Sequence, residues 1–390
     1  MKQLYWKSCE LDWRVDLAVA TVALIGILCV EHFKIYVPAP HYDEKLAAAT
    51  LMKKGMNVID HYRMEHTSDE NTDDDHTHIA GDTDNKKAKM ESGLIGIPFS
   101  PITTIISHRE YKQITINPNW AAVMIDFYKQ AGVKKGDTIA AGFSGSFPAL
   151  NLAVLAAAEI MQLKVIAIYS VASSGYGANI PNLSWPDMNR ILNEEGIIST
   201  RPVAASLGGA QDIGRGIKTE GIQLLKNIIS RNKVEFIHTK TEPDNLNQRM
   251  EIYYKYAGDN DIKAYVNVGG GLISVGGYYI KKLFKPGLNK VMSEPAVGFD
   301  SVMVSFAKKS VPVIHIRHIR ALCKASNMPS ELNKIPPPGQ GVIFGNYKYN
   351  QLLVIFVLIF ICVLLLVFVK TEYANIIFFS NKPPPPSPML

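Results

Sequence analysis

The chain has 390 residues, 47% of them hydrophobic and 19% charged, a balance that excludes an intrinsically disordered protein and leaves room for one or two cores. Its 41 basic against 35 acidic side chains give a formal net charge of +6, which suits an anionic partner but is explained equally by lipid headgroups or by solubility. Of the four cysteines, Cys9, Cys29, Cys323 and Cys362, only Cys323 falls in the central segment, so no disulfide can close inside it in either redox compartment.

In chain order, residues 1–16 read as a tail. The stretch 17–30 is uncharged between Asp16 and Glu31; it is short for a span, but Phe33, Ile35 and Val37 lengthen it toward a transmembrane helix over 17–37. A retained anchor is expected there; a cleaved signal peptide and a buried helix are the alternatives, and no A-x-A pattern follows the run. Residues 38–91 read as a linker. Within it, 69–84 carries seven acidic residues with His76 and His78, either a weak divalent-cation site or, the better reading, a solvated disordered loop. No cysteine or histidine pairing elsewhere has metal-ligand spacing, so no metal is expected.

The segment 92–335 fixes the fold class. Short β-branched and apolar runs recur at 138–141, 164–169, 202–205, 234–238, 262–268 and 311–316, and helical patterns at 149–163, 217–231, 246–257 and 301–309 lie among them. Such alternation predicts an α/β domain with a mostly parallel sheet flanked by helices. A Pro/Gly linker follows at 336–350. The 18 uncharged residues of 352–369 then predict a second transmembrane helix over 351–370, and 371–390 is a Pro-rich, extended tail. Two spans would put both termini on one side. Five Lys/Arg in the tails (Lys2, Lys7, Arg14, Lys370, Lys382) against four on the inner flanks (Lys34, Lys45, Lys334, Lys348) favour a two-pass cell-membrane protein whose main domain is extracytoplasmic.

In open parallel sheets ligands bind beyond the carboxyl ends of the strands, and five such ends carry small or hydroxyl residues here: 142–146 (GFSGS), 170–175 (SVASSG), 206–209 (SLGG), 239–241 (TKT) and 269–271 (GGG). Glycine admits close backbone approach, and a helix N-terminus favours negative charge. A crevice for an anionic or polar group is therefore expected from Gly142, Ser144, Gly145, Ser146, Ser173, Ser174, Gly175, Asn179, Gly269, Gly270 and Gly271. The plain alternative is a set of turns, with Ser146 capping a helix whose first turn holds Pro148. An enzymatic reading makes Ser144 or Ser146 a nucleophile, with His108, His238, His315 or His318 as a base. Against it, Ser146 occupies the final glycine position of G-x-S-x-G. No phosphate-loop or dinucleotide fingerprint occurs, so no cofactor is expected, and no motif suggests nucleic acid.

The succession SGLIGIPFSPITT (92–104), NPNWAAVM (117–124), GFSGSFPALNLAVLAAAE (142–159) and SSGYGANIPNLSWPDM (173–188) resembles the poly-gamma-glutamate system protein family, over about 92–298. The resemblance implies a membrane-associated accessory of bacterial poly-gamma-glutamate (capsule polymer) synthesis or export. Its partners would be the polymer or the membrane subunits that make and export it; no catalytic residue is carried over. Three readings stay open: an accessory binding the anionic polymer or partner subunits, a serine-dependent hydrolase or transferase acting on the polymer, and a non-catalytic scaffold.

Overall fold

The structure, a computed structural model, describes residues 13–67, 92–277, 283–291 and 300–370. The acidic run 69–84, Cys9 and the Pro-rich tail lie outside the described residues. The chain forms two compact units, one of residues 39–344 and one of the two chain ends, up to Pro38 and from Gly345 onward.

The unit of the chain ends contains α1 (Trp13–His32) and β1 (Ile35–Pro38), and it is completed by the last strand and last helix of the chain. In the larger unit the order is α2 (Tyr42–Thr67), α3 (Arg109–Thr115), α4 (Trp120–Gln130), β2 (Thr138–Ser144), α5 (Pro148–Ile160), β3 (Lys164–Ser170), β4 (Asn179–Ile180), β5 (Leu183–Ser184) and α6 (Trp185–Glu194). Then come β6 (Pro202–Ser206), α7 (Thr219–Arg231), β7 (Glu235–Phe236), α8 (Glu242–Ala257), β8 (Ile262–Val268), α9 (Leu272–Val275), β9 (Gly287–Asn289), α10 (Val302–Lys308), β10 (Val313–Ile316) and α11 (Ile319–Ala325). The first unit resumes with β11 (Gly345–Lys348) and α12 (Gln351–Lys370).

Seven strands form one sheet in the order β7-β6-β3-β2-β8-β10-β9. All neighbours run parallel except β9, which pairs antiparallel with β10 at the edge. A parallel sheet covered on both faces needs apolar residues at consecutive positions, and β2 and β3 supply them. Ile139, Ala141, Phe143, Ala167 and Tyr169 join one core with α2, α4, α5 and α6, while Ala140, Ile166 and Ile168 join the other with α8 and α10. The mostly parallel α/β sandwich expected from the alternation is therefore present.

Two expectations for the flanks fail. Residues 38–91 read as a linker, yet α2 is part of the core: Ala48, Ala49, Met52, Met56 and Ile59 are fully buried at helical spacing. The two-pass membrane anchoring also fails, and with it the cell-membrane localisation and the extracytoplasmic placement: among the described residues no helix is long and apolar enough to cross a membrane. Asp16 and Glu31 bracket the uncharged run of α1, which at 1.5 Å per residue covers about 21 Å of a core of about 30 Å. In α12 the uncharged run 352–369 covers about 27 Å. The two helices pack on each other, Gly26 against Val357, and β1 pairs antiparallel with β11.

Candidate functional site

The neighbouring strands β2 and β8 lead away from each other at their carboxyl ends: the chain leaves β2 toward β3 and leaves β8 toward β10. Such a reversal opens a crevice in doubly wound sheets. Here it is a cavity of about 910 Å³, walled by the ends of β2, β3, β6 and β8 and by the start of α11. Gly142 lies on its floor, where an added Cβ would meet the Tyr265 hydroxyl at 2.4 Å, so that position must stay bare.

Six of the expected residues line the cavity: Gly142, Ser144, Ser146, Ser174, Gly270 and Gly271. The other five are engaged behind its wall. The buried Ser173 hydroxyl donates to the Gly145 and Ser174 carbonyls (3.0 and 2.9 Å). Asn179 clamps the 96–104 segment, accepting from Ile97 N–H and donating to Ile97 O and Thr103 Oγ1 (3.0, 2.8 and 3.0 Å). Added Cβ atoms at Gly145 and Gly175 would each meet a carbonyl oxygen at 2.6 Å, which makes both packing glycines. Gly269, at φ 110°, donates to Ile316 O at 3.1 Å.

The hydroxyls of the first loop are wired to one another. Ser144 Oγ donates to Ser146 Oγ at 3.1 Å and accepts from Ser146 N–H at 3.2 Å, while Ser146 Oγ accepts from Ser174 N–H at 3.0 Å. Ser146 is not the cap of α5. Phe147 holds that position without a side-chain cap, Pro148 follows at the first helical residue, and the Ser146 hydroxyl is free to tie two strand ends together.

Three of the four candidate histidines have their contacts elsewhere. His315 is buried with Nδ1 3.1 Å from Asn267 Nδ2, and burial, aided by Arg317 and His318, pushes its pKa down to about 3. His318 lines the cavity at φ 54°, in the left-handed region. His238 leans on Phe236, 5.4 Å between ring centroids, and His108 precedes α3 with its ring edge-on to Tyr111.

Charge distinguishes this crevice from a set of plain turns. Arg215, Arg317 and Arg320 line it. Arg320 reaches Glu110 at 3.8 Å and lies over the Tyr111 ring; Arg215 is exposed and has no carboxylate partner among the described residues. The Arg317 guanidinium stands over Gly270, where a Cβ would approach its Cζ to 3.2 Å. Burial lowers its pKa, and its Nη1 is buried with no hydrogen-bond partner. Buried donors are nearly always satisfied, and an unsatisfied one carries a desolvation cost of about 1–3 kcal/mol.

Asp212 is the opposing acid, and it is neutralised from below. Arg249, 1% exposed, pairs with it, while Ser170 Oγ donates to it at 2.7 Å. Arg249 also donates to Ser206 Oγ (2.7 Å) and to Asn245 Oδ1 (2.9 Å). Asp212 sits in a tight loop in which Gln211 and Asp212 both have positive φ, 57° and 63°, a conformation costing about 1–3 kcal/mol at such residues unless the surroundings enforce it. The ion pair below is one such enforcement.

One group escapes sequence reasoning altogether. Lys112 of α3 is 2% exposed; its Nζ lies 2.9 Å from Ser174 Oγ, donates to the Ser146 carbonyl and sits 3.8 Å from the centre of the Phe147 ring. No carboxylate pairs with it among the described residues, and burial pushes its pKa down to about 7. Among the described residues no cluster of side chains could hold a metal ion. In comparisons with known proteins, no family model, curated protein or solved structure matches the chain.

Proposed function

We propose that the crevice binds carboxylates of an anionic polymer, and that the protein serves as a binding accessory of poly-gamma-glutamate synthesis or export. A chain of γ-linked glutamates presents one free α-carboxylate per residue. The observation that carries the reading is Arg317, which lines the cavity and has a buried Nη1 without a hydrogen-bond partner; a guanidinium so placed is complementary to a carboxylate. Arg215, Arg320 and the Ser144, Ser146 and Ser174 hydroxyls supply further donors around it, and the one acid of the loop is already matched by Arg249. A volume of about 910 Å³ suits a short oligomer better than a single small ion.

The test is titration of the full-length protein with a defined γ-glutamate oligomer at two salt concentrations. Binding weakened by salt, and weakened about tenfold to a hundredfold by Arg317→Met, is expected, since a charge-assisted hydrogen bond contributes about 1.5–3 kcal/mol. Equal affinity of wild type and Arg317→Met would remove the crevice from the reading.

A further inference from the structure

We infer that Ser174 and Lys112 form a nucleophile and general-base pair for acyl transfer, acting on an amide or ester carbonyl of an anionic substrate held in the crevice; this rests on the carboxylate-binding reading above. The pair meets the geometric requirement for an activated serine. Lys112 Nζ is 2.9 Å from Ser174 Oγ, and Ser174 lines the cavity while Lys112 approaches it from behind, shielded from solvent. Two further contacts fix the amine, the Ser146 carbonyl and the Phe147 ring, so it cannot swing away from the hydroxyl. A lysine spared a carboxylate partner and kept from water is the form able to act as a base, and its lowered pKa, about 7, accords with that placement. Serine with lysine as base is a known alternative to serine with histidine. The Ser144 and Ser146 hydroxyls, by contrast, spend their bonds on each other and on backbone N–H groups.

The step balances within the pair. The neutral Lys112 amine accepts the proton of Ser174 Oγ–H as Oγ bonds to the carbonyl carbon. Lys112 then returns that proton to the departing nitrogen or oxygen as its bond to carbon breaks, leaving an acyl ester on Ser174. A water molecule, deprotonated by Lys112, attacks the ester; the C–Oγ bond breaks, Ser174 regains a proton and a carboxylic acid leaves. If the amine of another chain replaces water, the products are a new amide and free Ser174. Helix α5 starts beside Ser146, and its N-terminal dipole favours the negative charge that develops on the carbonyl oxygen.

Full-length protein treated with a fluorophosphonate and mapped by peptide mass spectrometry should carry the adduct at Ser174, and Ser174→Ala should carry none. Lys112→Arg, which keeps the cation but cannot take up a proton, should slow labelling at least a hundredfold. The wild-type rate should rise with pH through an inflexion near 7. The groups facing Lys112 keep that assignment clean: its own helix bears Arg109, Glu110 and Tyr111, α11 adds Arg320, already turned to Glu110, the 170–177 loop adds Tyr176, and the first turns of α5 hold no charge. A thermal melt distinguishes a folded Lys112→Arg from a misfolded one; if it is misfolded, the pH profile and Ser174→Ala decide. Adduct at Ser144 or Ser146, or oligomer binding without any adduct, overturns the pair and leaves the binding reading intact. Adduct at Ser174 without oligomer binding supports the pair and overturns only the choice of ligand.

Discussion

Replacing Arg249 by methionine tests how the crevice is held together. The change removes a guanidinium that is 1% exposed and strands the Asp212 carboxylate, itself 5% exposed, against hydroxyls that cannot neutralise it. Burial alone would lower the Arg249 pKa, but Asp212 beside it raises the value above the ordinary one, so the guanidinium stays charged. Breaking one side of a buried pair costs about 3–5 kcal/mol, because the surviving charge remains uncompensated. Unfolding entropy of about 2.1 cal/mol/K per residue over the roughly 300 residues of the larger unit makes that a fall of about 5–8 °C in the midpoint. Arg249→Met together with Asp212→Asn should recover at least a third of the loss, since the stranded charge is then gone. The assay is differential scanning calorimetry of both variants at low and high salt, with little salt dependence expected for a buried pair. A single variant that loses under 1 kcal/mol, or a double variant no more stable than the single, would refute the account of Asp212 as an acid matched from below.

Other outcomes follow from the same geometry. Gly142→Ala should reduce oligomer binding at least tenfold, because its Cβ would meet the Tyr265 hydroxyl at 2.4 Å and distort the crevice floor; unchanged binding by isothermal titration would contradict that floor. Lys112 has a folded pKa near 7, below the ordinary value of 10.5, so the unfolded chain binds more protons between those values and the contribution to stability rises with pH across that window and is lost as pH falls toward 7. Lys112→Met should therefore gain most over wild type near pH 7 and lose that advantage by pH 10, measured as the difference in midpoint. His315, neutral in the fold down to about pH 3, makes stability fall as pH drops from 6.5 toward 3; His315→Gln should flatten that part of the acid-unfolding curve.

How far the sequence revealed all this depended on what each residue's neighbours do. The strands at 138–144, 164–170 and 262–268 were legible over 138–141, 164–169 and 262–268 because a parallel strand covered on both faces is apolar at nearly every position. β9 was not, because its three residues GLN carry no period and exist as a strand only by pairing with β10. The linker expectation for 38–91 followed the acidic run and passed over the stripe of Ala48, Met52, Met56 and Ile59 that buries α2. The glycine-serine ends of β2 and β8 pointed to the crevice, since that signal is local. Its charges did not show: Arg317 and Lys112 look like any surface cation in a basic chain, and only packing reveals that one has a buried, unpaired nitrogen and the other no water. The membrane reading failed for a related reason. A hydropathy run measures composition alone, whereas crossing a bilayer requires a helix both long and apolar enough, and among the described residues there is none.

The pairing of β1 with β11 joins residues 35–38 to 345–348, so the strand partners are separated in sequence by the whole of the larger unit. Closing a loop of about 300 unfolded residues carries an entropy cost that grows with the logarithm of its length, about 0.6 kcal/mol per doubling. A collapsed 39–344 segment brings its own ends together, Ala39 N–H donating to Phe344 O at 2.8 Å. The terminal strands can then meet at almost no further entropic cost. The topology thus delays one pairing: β1 cannot find its partner until residues 345–348 have been made, some 300 residues after it.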